Sequence, residues 1–176
     1  MTAVCTVFGA QAQARRLARV RARFPFVYVR ELTRTQGGRP IHALQLGQGQ
    51  TKLLIVGGHH ANECITSALC WQLLERYCAA LEDGGMFGGV PASRLYYNTV
   101  LYLVPMLGPD GAALAAGEIA PGSAEYAAAR AIAARYPEVP FPLGWKANLA
   151  GVDLNLNYPA GWQTAKTIKA ELGTTS

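Results

Sequence analysis

The 176 residues carry 51% hydrophobic and only 15% charged side chains, enough apolar material for one packed core and too few charges for a disordered chain. The net charge of +5 owes much to Arg15, Arg16, Arg19, Arg21, Arg23 and Arg30 near the start. No basic patch interleaved with aromatics and no nucleic-acid motif accompanies them, so they read as a solvated helix face and no nucleic-acid partner is expected.

Met1 to Gly9 has neither a basic leader nor a long apolar stretch, which reads as the absence of a signal peptide. Gln11 to Phe24 places Leu17, Val20 and Phe24 at helical spacing with arginines on the other faces, and Pro25 ends that helix. Val27 to Val29 and Ile41 to Leu46 read as strands, separated by the Gln36-Gly37-Gly38-Arg39-Pro40 punctuation of a hairpin or longer loop. Leu53-Leu54-Ile55-Val56 is a continuous apolar run that reads as a buried strand. It stops at Gly57-Gly58 and delivers His59, His60 and Glu63 at its carboxyl end, where open α/β sheets place their chemistry.

Ile65, Leu69, Leu73, Tyr77 and Leu81 recur every four residues beside Cys70, Leu74 and Cys78, predicting a long helix whose stripe packs on the sheet. Asp83-Gly84-Gly85 stops it, and a glycine-rich surface loop follows to Gly89. Val100 to Val104 is another apolar strand, closed by Pro105, and Gly108 to Gly111 has turn composition. A helix is expected around Ser123 to Ala134, an irregular loop through Pro137, Pro140 and Pro142, and a short helical tail from Ala165 to Leu172. No apolar run reaches the ~20 residues of a membrane span. Cys5, Cys64, Cys70 and Cys78 form no C-x-x-C pair and read as reduced thiols, pointing to the cytoplasm as the default compartment.

Three motifs occur in order: G-x-H-x-x-E (Gly58 to Glu63), P-x-x-x-P-D-G (Pro105 to Gly111) and G-V-D-L-N-x-N (Gly151 to Asn157). Together they resemble the zinc carboxypeptidases of the M14, carboxypeptidase A-like, family. The Tyr158-Pro159-Ala160-Gly161-Trp162 segment is most similar to bacterial γ-D-glutamyl-diaminopimelate peptidases, which trim peptidoglycan stem peptides. The resemblance implies an α/β fold, a mixed sheet with helices on its faces, of which residues 1–176 are the N-terminal part of one peptidase domain. It implies Zn2+ as cofactor, His60 and Glu63 as two of its three protein ligands, and Asn155 as a group holding the substrate's terminal carboxylate. Lys146 stands where many members have the arginine that stabilises the oxyanion, in a catalytic and substrate-binding role. The implied reaction is hydrolysis of a peptide or isopeptide bond, with a peptide or cell-wall peptide as partner. The oligomeric state stays open.

The sequence departs from the family pattern in three ways. The only histidines are His42, His59 and His60, and the only carboxylate side chain after Asn157 is Glu171, so the third zinc ligand and the catalytic glutamate of the family are missing. Leu156 replaces the arginine with which exopeptidases of the family grip a carboxylate, and an uncharged side chain cannot clamp an anion. Cys64 follows Glu63 where an aromatic is expected. The chain is therefore expected to be inactive alone. The alternatives are a non-catalytic remnant or substrate-binding module, and a zinc deacylase of the aspartoacylase type, which also uses H-x-x-E. Taken singly, His60 and Glu63 also fit a hydrogen-bonded pair at a strand end, His59 a packing residue, His42 a structural strand residue, and Asp153 either a brace for its loop or a carboxylate orienting a ligand histidine.

Overall fold

A computed structural model describes residues 8–172. Cys5, most of the Met1 to Gly9 segment and the Gly173 to Ser176 end lie outside them. The first helix, α1 (Ala10–Arg23), buries Leu17 and Val20 at the predicted spacing, and Phe24 closes it against the core. Strands β1 (Tyr28–Arg34) and β2 (Pro40–Gly47) form the expected antiparallel hairpin, with Gly38 at φ 74° in its turn. Strand β3 (Thr51–Val56) leads into α2 (Ile65–Glu82), a small hairpin of β4 (Met86–Phe87) and β5 (Val90–Pro91), and the short α3 (Ala92–Asn98). Strand β6 (Thr99–Val104), α4 (Pro109–Ala115), α5 (Ala124–Ala133), a 3-10 turn (Leu154–Leu156) and α6 (Trp162–Glu171) complete the chain.

The main sheet is mixed, with order β1-β2-β6-β3. The β1–β2 and β2–β6 pairs are antiparallel, and β3 runs parallel to β6, as a strand returning through a helical crossover must. Leu44 and Leu46 of β2 and Leu101 and Leu103 of β6 alternate onto one face. There they meet Leu17 and Val20 of α1 and Trp71, Leu74 and Cys78 of α2 in a single core. Leu44, Trp71, Leu74 and Leu103 are fully buried, each worth about 1.5–3 kcal/mol relative to an exposed side chain. The Trp71 indole N–H donates to the buried Gln13 amide oxygen at 2.6 Å and fixes α1 against α2. A second core joins α4, α5 and the loop after them through Leu114, Ile119, Ala129, Trp145 and Leu149.

Four expectations are corrected. The Leu53–Val56 strand is not buried: β3 is an edge of the sheet, and Leu53, Leu54 and Ile55 are 49%, 68% and 38% exposed. Successive residues point to opposite faces, so both faces of this strand are bare among the described residues. In α2 the every-fourth-residue stripe starts outside the core: Ile65 and Leu69 are exposed, and the packed face is Cys70, Trp71, Leu74, Tyr77 and Cys78. The glycine-rich stretch after α2 is the β4–β5 hairpin, turning at Gly88 and Gly89. Pro109-Asp110-Gly111 opens a helix, with Pro109 at its start, where a missing N–H costs nothing.

Asp110 is then buried, and it accepts hydrogen bonds from Thr35 Oγ1 at 2.7 Å, Gly37 N at 2.9 Å and Arg39 Nη1 at 2.8 Å. It pins the β1–β2 turn to α4. The arginine face of α1 is exposed as expected, but part of it is paired: Arg16 and Arg19 reach Glu75 at 2.6 and 2.9 Å, and Arg23 reaches Glu82 at 3.5 Å. Such pairs at the surface orient α1 on α2 more than they stabilise it. Cys64, Cys70 and Cys78 are buried. Burial pushes the Cys70 thiol up and, with the nearby Glu82 and Glu75, the Cys78 thiol to about 12. No helix among the described residues is long and apolar enough to cross a membrane.

Candidate active site

The parallel strands β3 and β6 end side by side, with Val56 opposite Val104. The pairing runs on past both ends, through Leu107 N–H to Gly57 O at 3.0 Å and Gly108 N–H to Gly58 O at 2.8 Å. Gly58 has φ 63°, and a Cβ there would lie 2.6 Å from Ser67 Oγ and 2.9 Å from Met106 Cα. Only glycine fits this close approach. The chain turns at this point and presents His59, His60 and Glu63 above the sheet, before α2 begins.

A second segment is brought to meet them. The Ala61 N–H donates to Lys146 O at 3.0 Å. Gly111 of α4 has no side chain because a Cβ would collide with Ala147 O and lie 2.9 Å from Ala61 Cβ. The Asn148 side-chain oxygen accepts from Ala150 N and Val152 N at 3.0 Å each, building the turn that aims Asp153 back at the histidines. Asp153 accepts the Asn155 N–H at 3.0 Å, and its own carbonyl accepts from Asn157 Nδ2 at 2.7 Å, so the 3-10 turn holds the carboxylate rigidly.

His60 lies between two carboxylates. Its Nε2 is 3.0 Å from Asp153 Oδ1 and its Nδ1 is 3.1 Å from Glu63 Oε2. The imidazole and Asp153 are largely buried, whereas the Glu63 side chain is 53% exposed. Lys146 Nζ, half-exposed, lies 3.4 Å from Asp153 Oδ2. Burial alone would raise the Asp153 pKa. The hydrogen bond and charge of His60, the charge of Lys146 and the Asn155 amide outweigh burial and hold it below the ordinary carboxylate value. His59 is turned away: its Nε2 is 2.6 Å from the Tyr158 hydroxyl. Burial, then the neighbouring His60, lower the His59 pKa.

The residues singled out in the sequence are thus partly reunited. His60 and Lys146 meet at Asp153, Glu63 reaches the group through His60, and Asn155 joins it through its backbone N–H, its side chain being exposed. His42 sits in β2 opposite Glu31, part of the hairpin and not of this cluster. Among the described residues no group of three His, Cys, Asp or Glu side chains is arranged to hold a metal ion. Two neighbours of the cluster were not read from the sequence. Tyr158 was noted only within its segment, and Asn62, between His60 and Glu63, carried no pattern of its own. A cavity of about 490 Å³ opens beside the cluster, its lining including Asn62, Lys146, Asp153, Tyr136, Phe141 and Trp145.

The donor set suits a zinc ion. Zinc takes histidine nitrogen and carboxylate oxygen at about 2.0–2.2 Å, which sets two ligand atoms of one tetrahedral ion roughly 3.3 Å apart. The 3.1 Å between His60 Nδ1 and Glu63 Oε2 is close to that spacing. A histidine that binds a metal through Nδ1 keeps its one N–H on Nε2, and Asp153 stands where it would accept that N–H.

Comparison with known proteins identifies relatives of this chain. A family model described as Zinc carboxypeptidase matches residues 14–175. An uncharacterised protein, YqgT, of Bacillus subtilis (strain 168) is 37% identical over 146 residues, covering 81% of this chain and 38% of its own length. Gamma-D-glutamyl-L-diamino acid endopeptidase 1 of Lysinibacillus sphaericus is 32% identical over 147 residues, covering 84% of this chain and 36% of its own. Among solved structures, a metallo-carboxypeptidase from Burkholderia cenocepacia superposes with TM-score 0.57 at 21% identity, over 93% of this chain and 38% of that one. A putative carboxypeptidase A from Shewanella denitrificans gives 0.59 at 15%, over 94% and 36%. The chain spans less than two fifths of the length of each of these proteins, and the structural matches bear on the fold. By its sequence over nearly its whole length, the chain belongs to the M14 family of zinc carboxypeptidases.

Proposed function

We propose that residues 1–176 supply the first half of a zinc peptidase site, with His60 Nδ1 and Glu63 as metal ligands, in a protein that hydrolyses a peptide or isopeptide amide. The observation that carries this reading is His60 held between two carboxylates, with Nε2 3.0 Å from Asp153 and Nδ1 3.1 Å from Glu63. Asp153 accepts the Nε2 proton, fixes the tautomer and makes Nδ1 a better donor, the usual task of a carboxylate behind a ligand histidine. Bound zinc would lower the pKa of a water to about 7 and polarise the scissile carbonyl. Lys146 supplies a positive charge 3.4 Å from Asp153 and on the rim of the neighbouring cavity, suited to a developing oxyanion. Asn155 offers an exposed amide next to Asp153 for the substrate's terminal carboxylate. Leu156 brings no charge, which favours endopeptidase action or a substrate held by other groups.

The substrate class favoured is a bacterial cell-wall peptide. The support is the Lysinibacillus relative, whose name gives a γ-D-glutamyl-L-diamino acid bond. These residues contain two protein ligands and no general base, so this reading expects weak zinc affinity and little or no hydrolysis by the 176-residue chain alone. Equilibrium dialysis against zinc tests it. The wild-type chain should bind one zinc ion, and His60→Ala and Glu63→Gln should each weaken binding about tenfold or more. Zinc binding unchanged in both variants would overturn it.

A further inference from the structure

His59 has no task in the metal reading, yet its backbone is firmly held. The carbonyls of Gly57 and Gly58, just before it, accept the Leu107 and Gly108 N–H groups. Gly108 comes so near that a Cβ there would lie 3.3 Å from His59 O. Two adjacent imidazoles thus leave one fixed point, and both end on the same short segment. His60 Nε2 lies 3.0 Å from Asp153 Oδ1, and His59 Nε2 lies 2.6 Å from the Tyr158 hydroxyl. Between Asp153 and Tyr158 stands Asn155.

Packing does little to place this segment. None of Leu154–Leu156 is buried, and Asn155, Asn157 and Tyr158 are exposed. The bonds from the Asn155 N–H and Asn157 Nδ2 shape the turn around Asp153 but do not tie its far end to the sheet. Trp162 Nε1 donates to Asn157 Oδ1 at 3.2 Å, but Trp162 belongs to α6, which has no buried residue. Tyr158 supplies the missing tie. It also precedes Pro159, which restricts its backbone to extended conformations, so a fixed ring leaves the chain little slack.

We infer that His59 and Tyr158 are positioning residues: their hydrogen bond clamps the far end of this segment to the carboxyl end of β3 and so sets where Asn155 stands relative to His60. Leu156 is uncharged and the Asn157 side chain is engaged with Asp153 and Trp162. Asn155 is then the polar side chain that the turn offers a substrate, and its placement decides what the turn can grip. The task of Asn155 rests on the proposed peptidase reading, whereas the clamp needs neither metal nor substrate. Imidazole and hydroxyl can each donate or accept, so the bond forms with either His59 tautomer. A bond of this kind is worth up to about tenfold in a local opening equilibrium.

The test is amide hydrogen exchange with two-bond ¹H–¹⁵N correlation of the histidine rings, on the full 176-residue chain without metal. Tyr158→Phe removes the hydroxyl and keeps the ring, whose centroid lies 5.7 Å from that of His59. It should speed exchange of the Asn155 N–H about five- to tenfold, shift the Asn155 side-chain amide and move the His59 Nε2 signal. The Trp71 indole and the amides of β6 should keep wild-type protection. His59→Leu should do the same to Asn155, and combining it with Tyr158→Phe should add nothing further. His59→Gln gives the hydroxyl an amide to bond and should restore most of the protection. A silent Tyr158→Phe, effects of the two variants that add, no recovery in His59→Gln, or loss of protection spread through β6 would overturn the clamp. Zinc that fails to bind at His60 while these effects persist overturns the metal reading alone.

Discussion

The two edges of the main sheet differ. Strand β1 is exposed nearly throughout, but it carries Arg30, Glu31 and Arg34, an Arg34–Glu31 ion pair at 2.8 Å, and a register shift between Glu31 and Thr33. Charge and irregularity are the usual means of keeping an edge from recruiting another strand. Strand β3 has one charge, Lys52, then Leu53, Leu54 and Ile55 exposed in succession, with regular pairing to β6 along its length. Of the two, β1 is built as a sheet boundary and β3 as a strand meant to be covered. The candidate active site lies at the carboxyl end of β3, so its support is strong on the β6 side and, among the described residues, absent on the other.

The largest expected effects separate the middle of the sheet from its open edge. Leu44→Ala and Leu103→Ala should each cost about 2–5 kcal/mol in chemical denaturation, and Leu54→Ala within about 0.5. A Leu54→Ala cost like that of Leu44→Ala would mean that β3 is covered after all. Next comes the polar anchor at the end of β3. Asp153→Asn should lose about 1.5–3 kcal/mol, the worth of hydrogen bonds to a charged group. The Asp153 pKa is lowered on folding, so its contribution is complete above the ordinary 3.8 and is lost as pH falls through the lower folded value. The gap between wild type and variant in thermal melts should therefore be constant near neutrality and close only in strong acid. A gap that closes around pH 6 would point to a different group.

Association should follow the same contrast. In sedimentation velocity the wild-type chain should show concentration-dependent growth, and Leu54→Lys should weaken it about tenfold, by placing a charge on the bare edge. Tyr28→Lys on β1 should leave it unchanged, and an equal effect of the two substitutions would remove the distinction between the edges. The smallest effect belongs to the ion pair on β1: Arg34→Ala should change stability by about 0.2–0.5 kcal/mol, as exposed pairs do.

Much of this was legible in the residues. Leu17, Val20 and Phe24 gave the first helix, the Gly37-Gly38 punctuation the hairpin, Val100 to Val104 the central strand, and Ser123 the start of α5, where its hydroxyl accepts the Tyr126 N–H at 3.2 Å. Other features depend on what lies opposite. A run such as Leu53 to Val56 says that both faces of a strand are apolar, but not that anything covers them. The every-fourth-residue stripe of α2 was real in sequence, but the helix rotates its Trp71 and Leu74 side inward and leaves Ile65 and Leu69 outside. Asp110 read as turn chemistry because its partners, Thr35 to Arg39, lie more than 70 residues earlier. In the site, His60 and Glu63 were visible as a local spacing. The role of Asp153 was left between two readings, since its contact with His60 spans 93 residues and only the folded chain brings the two together.

The most direct test of the account is two-bond ¹H–¹⁵N correlation of the His60 ring during zinc titration. The account predicts that Nδ1 moves to the metal-bound range while Nε2 stays protonated towards Asp153. Zinc shifting Nε2 instead, or leaving both His60 nitrogens where they were, would contradict it.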